Sequence, residues 1–391
     1  MRILHTADWH IGKNLAGFSL IEDQYSILST LKDYIKTQQI DVLIVAGDIY
    51  DKSIPSIDGV QLLDDILFEI VNETHAQIFM IAGNHDNATR LSFGNRLYQN
   101  NPYIAGKFKL ELPKITLKDT HGPVNFFLLP YFTPESISKQ SGRIVTNFND
   151  AFRFIIEHNH TQINATERNV LIAHGFFSYL LSTKGTYTDL IITENELPVG
   201  GVDVMDISPA VFFDYVALGH IHSPQNIYYN HIAYAGSLLK YAISESEHKK
   251  GIIDITLAEK GHLQTKLVAL PPKRDLKVIT GFIDDIIKEP NRYLTNMFDY
   301  VFVKLQDTES VFDGIHRLRQ VFENVLGFSL LNNFEATTIP TCEAGHQQSM
   351  EDLFCQFFLQ LTGEQPTKSQ LSIIQQIACQ QFTGKVGGEP Q

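Results

Sequence analysis

The sequence predicts a layered α/β fold, followed by a small α+β domain and a C-terminal helical segment. Short apolar runs alternate with segments of helical periodicity near the N-terminus, which is typical of β-α-β units. Tandem proline at Pro271 and Pro272 then interrupts the pattern, because proline cannot continue a helix and disfavours an interior strand. A length of 391 residues agrees with two or three domains at roughly 150 residues each.

The first third of the chain predicts three parallel strands and two helices. The strands correspond to the apolar runs from Ile3 to Leu4, from Val42 to Ala46 and from Ile78 to Ala82. Ser19 and Glu22 have the spacing of a capping box and predict the start of the first helix. Ligands of such sheets bind beyond the carboxyl ends of the strands, so we expect the functional residues there.

Five further strands are predicted downstream, and the last four of them are assigned to a second sheet or half. The predicted strands are Val124 to Leu129, Val170 to His174, Tyr215 to Gly219, His231 to Ala235 and Gly251 to Leu257.

The domain boundaries follow from these patterns. We predict a main domain over residues 1–272, a small α+β domain over 273–336, and a linker with a helical segment over 337–391. The small domain contains predicted strands at Val301 to Leu305 and at Phe328 to Leu331, with a helix-period segment from Ile315 to Val325 between them.

The C-terminal segment predicts a helical hairpin. Apolar residues from Met350 to Leu361 recur at helical spacing and form one wide stripe, and a second helical pattern runs from Leu371 to Ala378. The stripe either docks on the chain's own core or binds a partner, and the sequence leaves both alternatives open.

Composition excludes several classes of protein. With 43% hydrophobic and 19% charged residues the chain is globular, and its apolar runs are far shorter than the roughly 18 residues of a membrane span. We expect no signal peptide. Cys342, Cys355 and Cys379 have no CxxC spacing, which argues against disulfides and thiolate zinc sites and favours a reducing cytoplasm. A net charge of −13 means that a polyanionic substrate needs local cations, a partner or bound metal.

Metal-binding residue types follow five of the predicted strands. These residues are Asp8, His10, Asp48, Asn84, His174, His220 and His222, with His85 beside Asn84. Each of them alone has an ordinary explanation, such as a turn-forming aspartate or a surface histidine. Their joint appearance at successive strand ends predicts a shared site. Two carboxylates, one amide and four imidazoles suffice for two divalent ions about 3.5–4 Å apart.

The same positions resemble the five motifs of the calcineurin-like metallophosphoesterases. The motifs are Asp8-Trp9-His10, Gly47-Asp48, Gly83-Asn84-His85-Asp86, His174-Gly175 and Gly219-His220-Ile221-His222. Two further stretches, 3–12 and 234–241, are similar to the nuclease subunits of bacterial exonucleases that also contain a coiled-coil ATPase. The resemblance implies a β-sandwich flanked by helices, with residues 273–336 as a capping domain.

The resemblance also implies a role for each site residue. Asp8, His10, Asp48 and His222 would surround one metal ion, with Asp48 bridging to a second ion held by Asn84, His174 and His220. His85 would contact the scissile phosphate and assist the leaving oxygen. Among the neighbouring residues, Asp86 is interpreted as a carboxylate that orients a neighbouring imidazole, or as a turn residue, rather than as a metal ligand. Asp51 occupies a position where some relatives have histidine.

The function implied is that of a DNA nuclease with two divalent ions, preferably manganese, that activate a hydroxide. It would act as an exonuclease on duplex ends and an endonuclease on hairpins, in DNA replication and recombination. The chain contains no GxxxxGK[ST] motif, so ATP-driven steps would come from the coiled-coil ATPase in a heterotetramer with two copies of each subunit, including a homodimer of this chain. The apolar stripe from Met350 to Leu361 is the candidate contact for that partner, within the helical segment of 337–391. The alternatives are a phosphatase or cyclic-nucleotide phosphodiesterase, and a non-catalytic scaffold.

Several other polar or aromatic residues are assigned to roles outside the site. We predict that His5 and Trp9 pack in the core, and that His158 and His160 are solvated. A further set could contact a phosphate backbone, but a lysine pair in a loop is usually solvated, so we assign this set to the surface and leave it out of the site, namely Lys240, Tyr241, Lys249 and Lys250.

Overall fold

A computed structural model of the chain describes residues 1–97, 101–181, 186–187, 190–192, 204–308 and 311–331, with isolated positions at 358, 366–367 and 370–371. The chain divides into two compact units, Met1–Asn332 and Asn333–Gln391. Apart from the isolated positions, the predicted C-terminal helices at 350–361 and 371–378 lie outside the described residues. The sheets and helices that position the site all belong to the first unit.

The first sheet has six strands and contains the three apolar runs that open the sequence. In spatial order its strands are Leu263–Val268, Ile252–Leu257, Arg2–Thr6, Val42–Ala46, Gln77–Ile81 and Tyr103–Ala105. The last four run parallel, while Ile252–Leu257 pairs antiparallel with Arg2–Thr6. The predicted parallel arrangement of the first three runs is confirmed.

The second sheet also has six strands. In spatial order they are Gln225–Tyr228, Ile232–Tyr234, Tyr215–Gly219, Arg168–His174, Gly122–Leu129 and Lys114–Asp119. The predicted assignment of strands to sheets was wrong at both ends: Gly122–Leu129 belongs to the second sheet and Ile252–Leu257 to the first. The reason is pairing between segments that are distant in sequence, because Ile255 is the strand partner of Ile3.

The two sheets pack face to face and form the central core. Alternate apolar residues of the first sheet, such as Ile3, Ile44 and Phe79, meet residues of the second sheet such as Phe126 and Ile172. This core excludes water from both inner faces, which is the main source of stability in a sandwich. The sheet layers confirm the predicted layered α/β fold and the β-sandwich implied by the resemblance.

Helices cover the outer faces of the sandwich, and the last two helices along the chain pack against a third sheet. The α-helices are Ile21–Gln38, Ile57–Glu73, Ala88–Leu91, Pro134–Ser141, Phe148–Asn159, Ile283–Lys288 and Gly314–Arg319. Short 3₁₀ turns are Asn95–Leu97, His160–Gln162, Ser208–Ala210, Ile243–Glu245 and Pro290–Arg292. Short two-residue strands are Asn14–Leu15, Phe18–Ser19, Phe177–Ser178, Leu180–Leu181, Thr186–Tyr187 and Met205–Asp206.

The predicted capping box does not form at the first helix. Ser19 pairs with Asn14 in a small hairpin, and the helix begins two residues later, with Leu20 at the N-cap position and no side-chain cap. Glu22 therefore lies at the second helical position instead of the third, where it cannot close the box.

A third sheet follows the tandem proline. Its three parallel strands are Leu276–Gly281, Tyr300–Leu305 and Asn324–Leu330, and they share a separate apolar cluster with two short helices. The predicted helix from Ile315 to Val325 is shorter, Gly314–Arg319, because Val325 belongs to the third strand and pairs with Val301. Within the described parts of the chain, no helix is long and apolar enough to cross a membrane.

Candidate metal centre

The predicted ligands meet at one edge of the sandwich. They follow strands of both sheets, namely Arg2–Thr6, Val42–Ala46, Gln77–Ile81, Arg168–His174 and Tyr215–Gly219. Because the carboxyl ends of these parallel strands point the same way, loops that are distant in sequence converge. The structure brings all seven predicted donor side chains to this edge.

The loops that carry the donors are held in an uncommon backbone conformation. Four of the donors have positive φ: 52° at Asp8, 44° at His10, 50° at Asp48 and 111° at His220. Non-glycine residues seldom adopt such angles, and they persist where the surroundings compensate for the strain. Here the Asp8 amide donates to Gly47 O at 3.0 Å and the His10 amide to Asp48 O at 2.9 Å, so two loops support each other.

Asp8, His10 and His222 form the first donor group. One potential ligand atom from each lies within 4.8 Å of the others. The Nε2 atoms of His10 and His222 face each other at 3.1 Å. The carboxylate of Asp8 accepts the backbone N–H of His220 at 2.9 and 3.1 Å, which connects this group to the last motif.

Asp48, Asn84, His174 and His220 form the second donor group. Ligand atoms of Asp48, His174 and His220 lie within 4.8 Å of one another, and Asn84 Oδ1 is 3.0 Å from both His174 Nε2 and His220 Nδ1. His174 Nδ1 donates to Ala46 O at 2.8 Å, so Nε2 is the ring atom that is directed into the site.

Asp48 lies between the two groups. Its Oδ2 atom is 3.5 Å from His174 Nε2 in the second group and 3.7 Å from His10 Nε2 in the first. Its Oδ1 atom accepts the backbone N–H of His85 at 2.9 Å. This central position is the one that a bridging carboxylate needs.

Close packing at two glycines brings the loops together. A Cβ atom at Gly47, where φ is 89°, would lie 2.3 Å from His174 Nδ1. A Cβ atom at Gly83 would lie 2.1 Å from Asp48 Oδ1. Neither position can take a side chain without displacing a donor, which explains why glycine precedes both Asp48 and Asn84.

Burial and mutual charge shift the pKa values within the site. Burial raises the pKa of Asp8 to about 7, although His174 and His222 oppose the shift. Burial alone would also raise the pKa of Asp48, but His174 outweighs it and holds that pKa below its usual range. Burial and the neighbouring His174 lower the pKa of His220 to about 3. Burial alone would lower the pKa of His174, but the charge of Asp48 outweighs it and raises that pKa to about 9. A bound divalent cation would supply the positive charge that this proton otherwise provides.

The donor chemistry fits divalent metal ions. Each group combines imidazole nitrogen with carboxylate or amide oxygen, a mixture compatible with Mn, Fe, Zn or Co. The facing nitrogens of His10 and His222 also fit a cation, because two lone pairs so close together otherwise repel unless one ring carries a proton between them.

His85 lies at the exposed side of the site. Its Nδ1 atom donates to the backbone oxygen of Asp51 at 2.9 Å, which leaves Nε2 directed elsewhere. His10, Asp51 and His85 also have ligand atoms within 4.8 Å of one another. However, the Asp51 carboxylate already accepts the Lys13 ammonium at 2.8 Å, so a cation is in place there.

Asp86 connects two of the loops through hydrogen bonds to their backbone. Its carboxylate accepts the backbone N–H groups of Ile49, Tyr50 and Gly83 at 2.9–3.0 Å. Burial raises its pKa to about 6. These bonds go to backbone N–H groups of two loops and not to an imidazole, so they agree with the predicted turn role and not with the orientation of a histidine.

The surface assignment was wrong for three of four residues. Lys249 is exposed, but Tyr241 is buried and the side chains of Lys240 and Lys250 are only 10% and 7% exposed. Tyr241 donates its hydroxyl to Trp9 O. The basic residues were misassigned because their oxygen partners, such as Ser246 O and Asp275 for Lys240 and Glu245 and His222 O for Lys250, are set by the folded loops and have no sequence signature.

Two further residues at the site were missed altogether. Gln24 lies in the first helix and its amide donates to the backbone oxygens of Trp9 and His10, at 3.1 and 2.8 Å. Glu245 is 1% exposed and bonds His222. The signal that was available is a polar residue on the buried face of a helix, which Gln24 displays at the helix start.

The predicted burial or exposure of four further residues is confirmed. His5 and Trp9 are buried in the core, and His5 Nδ1 lies 2.9 Å from the Tyr215 hydroxyl. His158 and His160 are exposed.

Comparisons with known proteins agree with this geometry. The calcineurin-like phosphoesterase family matches residues 1–224. Among curated relatives, the SbcD subunit of the SbcCD nuclease from Staphylococcus epidermidis is 34% identical over 84% of this chain and 85% of its own length. The protein of the same name from Staphylococcus saprophyticus is 31% identical over 96% of this chain and 97% of its own.

Solved structures resemble the chain more distantly. A dimetal phosphatase from Danio rerio aligns with 69% of this chain and 96% of its own, at 11% identity and a TM-score of 0.38. A likeness at this level carries no functional conclusion, whereas the sequence relatives cover most of the chain at more than 30% identity. The chain therefore belongs to the calcineurin-like phosphoesterases and, within them, to the SbcD family of nuclease subunits.

Proposed function

We propose that this chain is the metal-dependent nuclease subunit of an SbcCD-type complex and hydrolyses DNA phosphodiester bonds. The observation that carries the proposal is the convergence of two donor groups around Asp48, with His85 beside them on the open side. A phosphodiester needs charge stabilisation on its oxygens and a proton for the leaving sugar oxygen. Both requirements have candidate residues here.

The first donor group, together with Asp48, would hold one divalent ion, and the second group would hold another. When bound, the two ions lower the pKa of a water and stabilise negative charge on the phosphate. Manganese is our proposed ion, since the mixed nitrogen and oxygen donors accept it. Asp48 would bridge because its Oδ2 lies within 3.7 Å of a nitrogen from each group.

His85 would act on the substrate directly. It is exposed, so a DNA strand can approach the ring, and its Nδ1 hydrogen bond to Asp51 O holds the ring in one orientation. In its imidazolium form, His85 would keep the Nδ1–H bond to Asp51 O and use Nε2–H to stabilise the phosphate and to protonate the departing sugar oxygen.

DNA and an ATPase are the proposed partners. The relatives are named as subunits of SbcCD, so we propose an SbcC-type coiled-coil ATPase as the partner, in a heterotetramer with a homodimer of this chain. The substrates would be duplex ends for exonuclease action and hairpins for endonuclease action, in replication and recombination in the cytoplasm. The proposed division is a nuclease domain over 1–272, a capping domain over 273–336, and an SbcC-binding segment within 337–391.

The test compares Mn²⁺-dependent cleavage of hairpin DNA with hydrolysis of p-nitrophenyl and cyclic-nucleotide esters. We expect the DNA to be cut. Hydrolysis of the small esters alone would favour a phosphatase, and no hydrolysis of any substrate would favour a scaffold. Copurification with a coiled-coil ATPase tests the partner.

The role of His85 has its own test. We expect His85→Ala to reduce DNA cleavage by about 10²–10⁴-fold, the usual contribution of a general acid, while Mn²⁺ content stays unchanged. His158→Ala is the matched control, because His158 is an exposed histidine outside both donor groups. Unchanged cleavage in His85→Ala would exclude the proposed role.

A further inference from the structure

Glu245 is a buried carboxylate in contact with a proposed metal ligand. It ends the 3₁₀ turn Ile243–Glu245 and is 1% exposed. Its Oε1 atom accepts a hydrogen bond from His222 Nδ1 at 2.9 Å, and its Oε2 atom accepts the backbone N–H of Tyr241 at 3.2 Å. A histidine that donates from Nδ1 keeps its lone pair on Nε2, and this is the atom that faces His10.

Lys250 completes the arrangement around the same histidine. Its Nζ atom donates to Glu245 Oε2 at 2.6 Å, to His222 O at 2.8 Å and to Ser237 Oγ at 2.8 Å. An ammonium group has three N–H donors, and these three bonds use all of them. The lysine charge compensates the buried carboxylate, and its bond to His222 O fixes the backbone that carries the ring.

We infer that Glu245 and Lys250 are positioning residues that hold His222 with Nε2 as its metal-binding atom. Glu245 selects the tautomer and the ring orientation of His222. Lys250 fixes the positions of the Glu245 carboxylate and of the His222 backbone relative to each other. This inference rests on the proposed function, in which His222 is a metal ligand of the first donor group. Carboxylates that accept the second N–H of a metal-bound imidazole increase metal affinity in the same way.

The experiment uses the full chain in the variants Glu245→Gln, Glu245→Ala and Lys250→Met. Lys240→Met is the matched control, because Lys240 is also nearly buried and bonds backbone oxygens and a carboxylate, Asp275, without touching His222. The readouts are Mn²⁺ titration by calorimetry, the His222 tautomer from ¹⁵N shifts of the metal-free chain, and the thermal unfolding midpoint. His222→Asn identifies the His222 signals.

We expect Glu245→Ala to lower the affinity for one of the two Mn²⁺ ions by about 10- to 100-fold. The affinity for the other ion should stay unchanged. In this variant, His222 should lose the pure Nδ1–H tautomer. Glu245→Gln should restore much of the affinity, since the amide oxygen can accept the same hydrogen bond. Lys250→Met should lower the affinity for the same Mn²⁺ ion as Glu245→Ala does. Lys240→Met should bind both ions with wild-type affinity.

Wild-type affinity at both equivalents in folded Glu245→Ala, or an unchanged His222 tautomer, would overturn the inference. If Glu245→Ala does not fold, Glu245→Gln and Lys250→Met decide by the same two readouts. A loss of the same size in Lys240→Met would show general loosening of the region and would also overturn it. A wild-type chain that binds Mn²⁺ but leaves DNA uncut contradicts the proposed function alone, because binding and tautomer still test Glu245.

Discussion

The two donor groups of this site are supported in different ways. In the first group, His222 depends on the side chains of Glu245 and Lys250, and the His10 loop depends on Gln24. In the second group, His174 donates to a backbone oxygen, Ala46 O, at the end of a central strand. A backbone support is fixed by the sheet itself, whereas a side-chain support depends on individual residues. The metal affinity of the first group should therefore be more sensitive to substitution of residues that are not themselves metal ligands.

Asp48 is the residue that both groups share, so its removal should have the largest effect. We expect Asp48→Ala to abolish binding of both Mn²⁺ ions and to reduce DNA cleavage by at least about 10³-fold, equivalent to about 4 kcal/mol. Metal content and cleavage rate measure the two effects. Asp64→Asn, on an exposed part of the second helix, is the control. Retention of one ion with wild-type affinity would mean that Asp48 does not bridge.

Substitution of one histidine in each group separates the two halves. We expect His222→Ala and His174→Ala each to retain one Mn²⁺ equivalent, and each to lose about 10²-fold or more in cleavage, because a single ion cannot stabilise both oxygens in line. Calorimetry of the single and double variants measures this. Loss of both ions in either single variant would contradict two separable donor groups.

Gly47 tests how far close packing maintains the second group. A Cβ atom at this position would lie 2.3 Å from His174 Nδ1. The alanine backbone would also have to adopt a φ of 89°. We expect Gly47→Ala to lower the free energy of unfolding by about 2–4 kcal/mol, from backbone strain and overpacking. Urea unfolding without metal measures it. Gly17→Ala, with a similar φ of 92° and open space around the Cβ, is the control that isolates the strain.

Equal destabilisation in Gly47→Ala and Gly17→Ala would show that the contact with His174 contributes nothing. Mn²⁺ titration adds a second criterion, because Gly47→Ala should weaken the second donor group and Gly17→Ala should leave it unchanged.

Gln24 provides the corresponding test of the first group. Its amide nitrogen donates to Trp9 O and His10 O, and its amide oxygen accepts the Gly12 N–H. We expect Gln24→Leu to cost about 1–3 kcal/mol of stability, because buried backbone groups lose their partners. Mn²⁺ should bind less tightly to the first group than to the second. Gln61→Leu, on an exposed helical face, is the control, and equal weakening of both groups would contradict the comparison.

What the sequence could predict depends on how local the signal is. Asp8, Asp48 and His174 were predictable because each follows a strand whose apolar run is visible by itself, and parallel topology does the rest. Glu245 was not, since its role depends on a bond to His222 that no periodicity marks.

The fold shows the same limit. The inner strands and the layered class followed from hydrophobic runs. The sheet to which Ile252–Leu257 belongs did not, because it pairs with Arg2–Thr6 at the other end of the domain. The capping box failed for a local reason, as Ser19 prefers a hairpin that the helix pattern does not reveal.

Lys13 should give the smallest effect. It pairs with Asp51 at 2.8 Å, but its side chain is 26% exposed, so solvent screens the pair. We expect Lys13→Met to change the free energy of unfolding by less than about 1 kcal/mol. Because a positive charge near His10 is removed, Mn²⁺ affinity of the first group should rise by less than about fivefold. Lys52→Met, an exposed neighbour of Asp51, is the control. A tenfold fall in Mn²⁺ affinity would instead mean that the ion pair holds the first loop, and the first donor group would then depend on one more side chain than Gln24, Glu245 and Lys250.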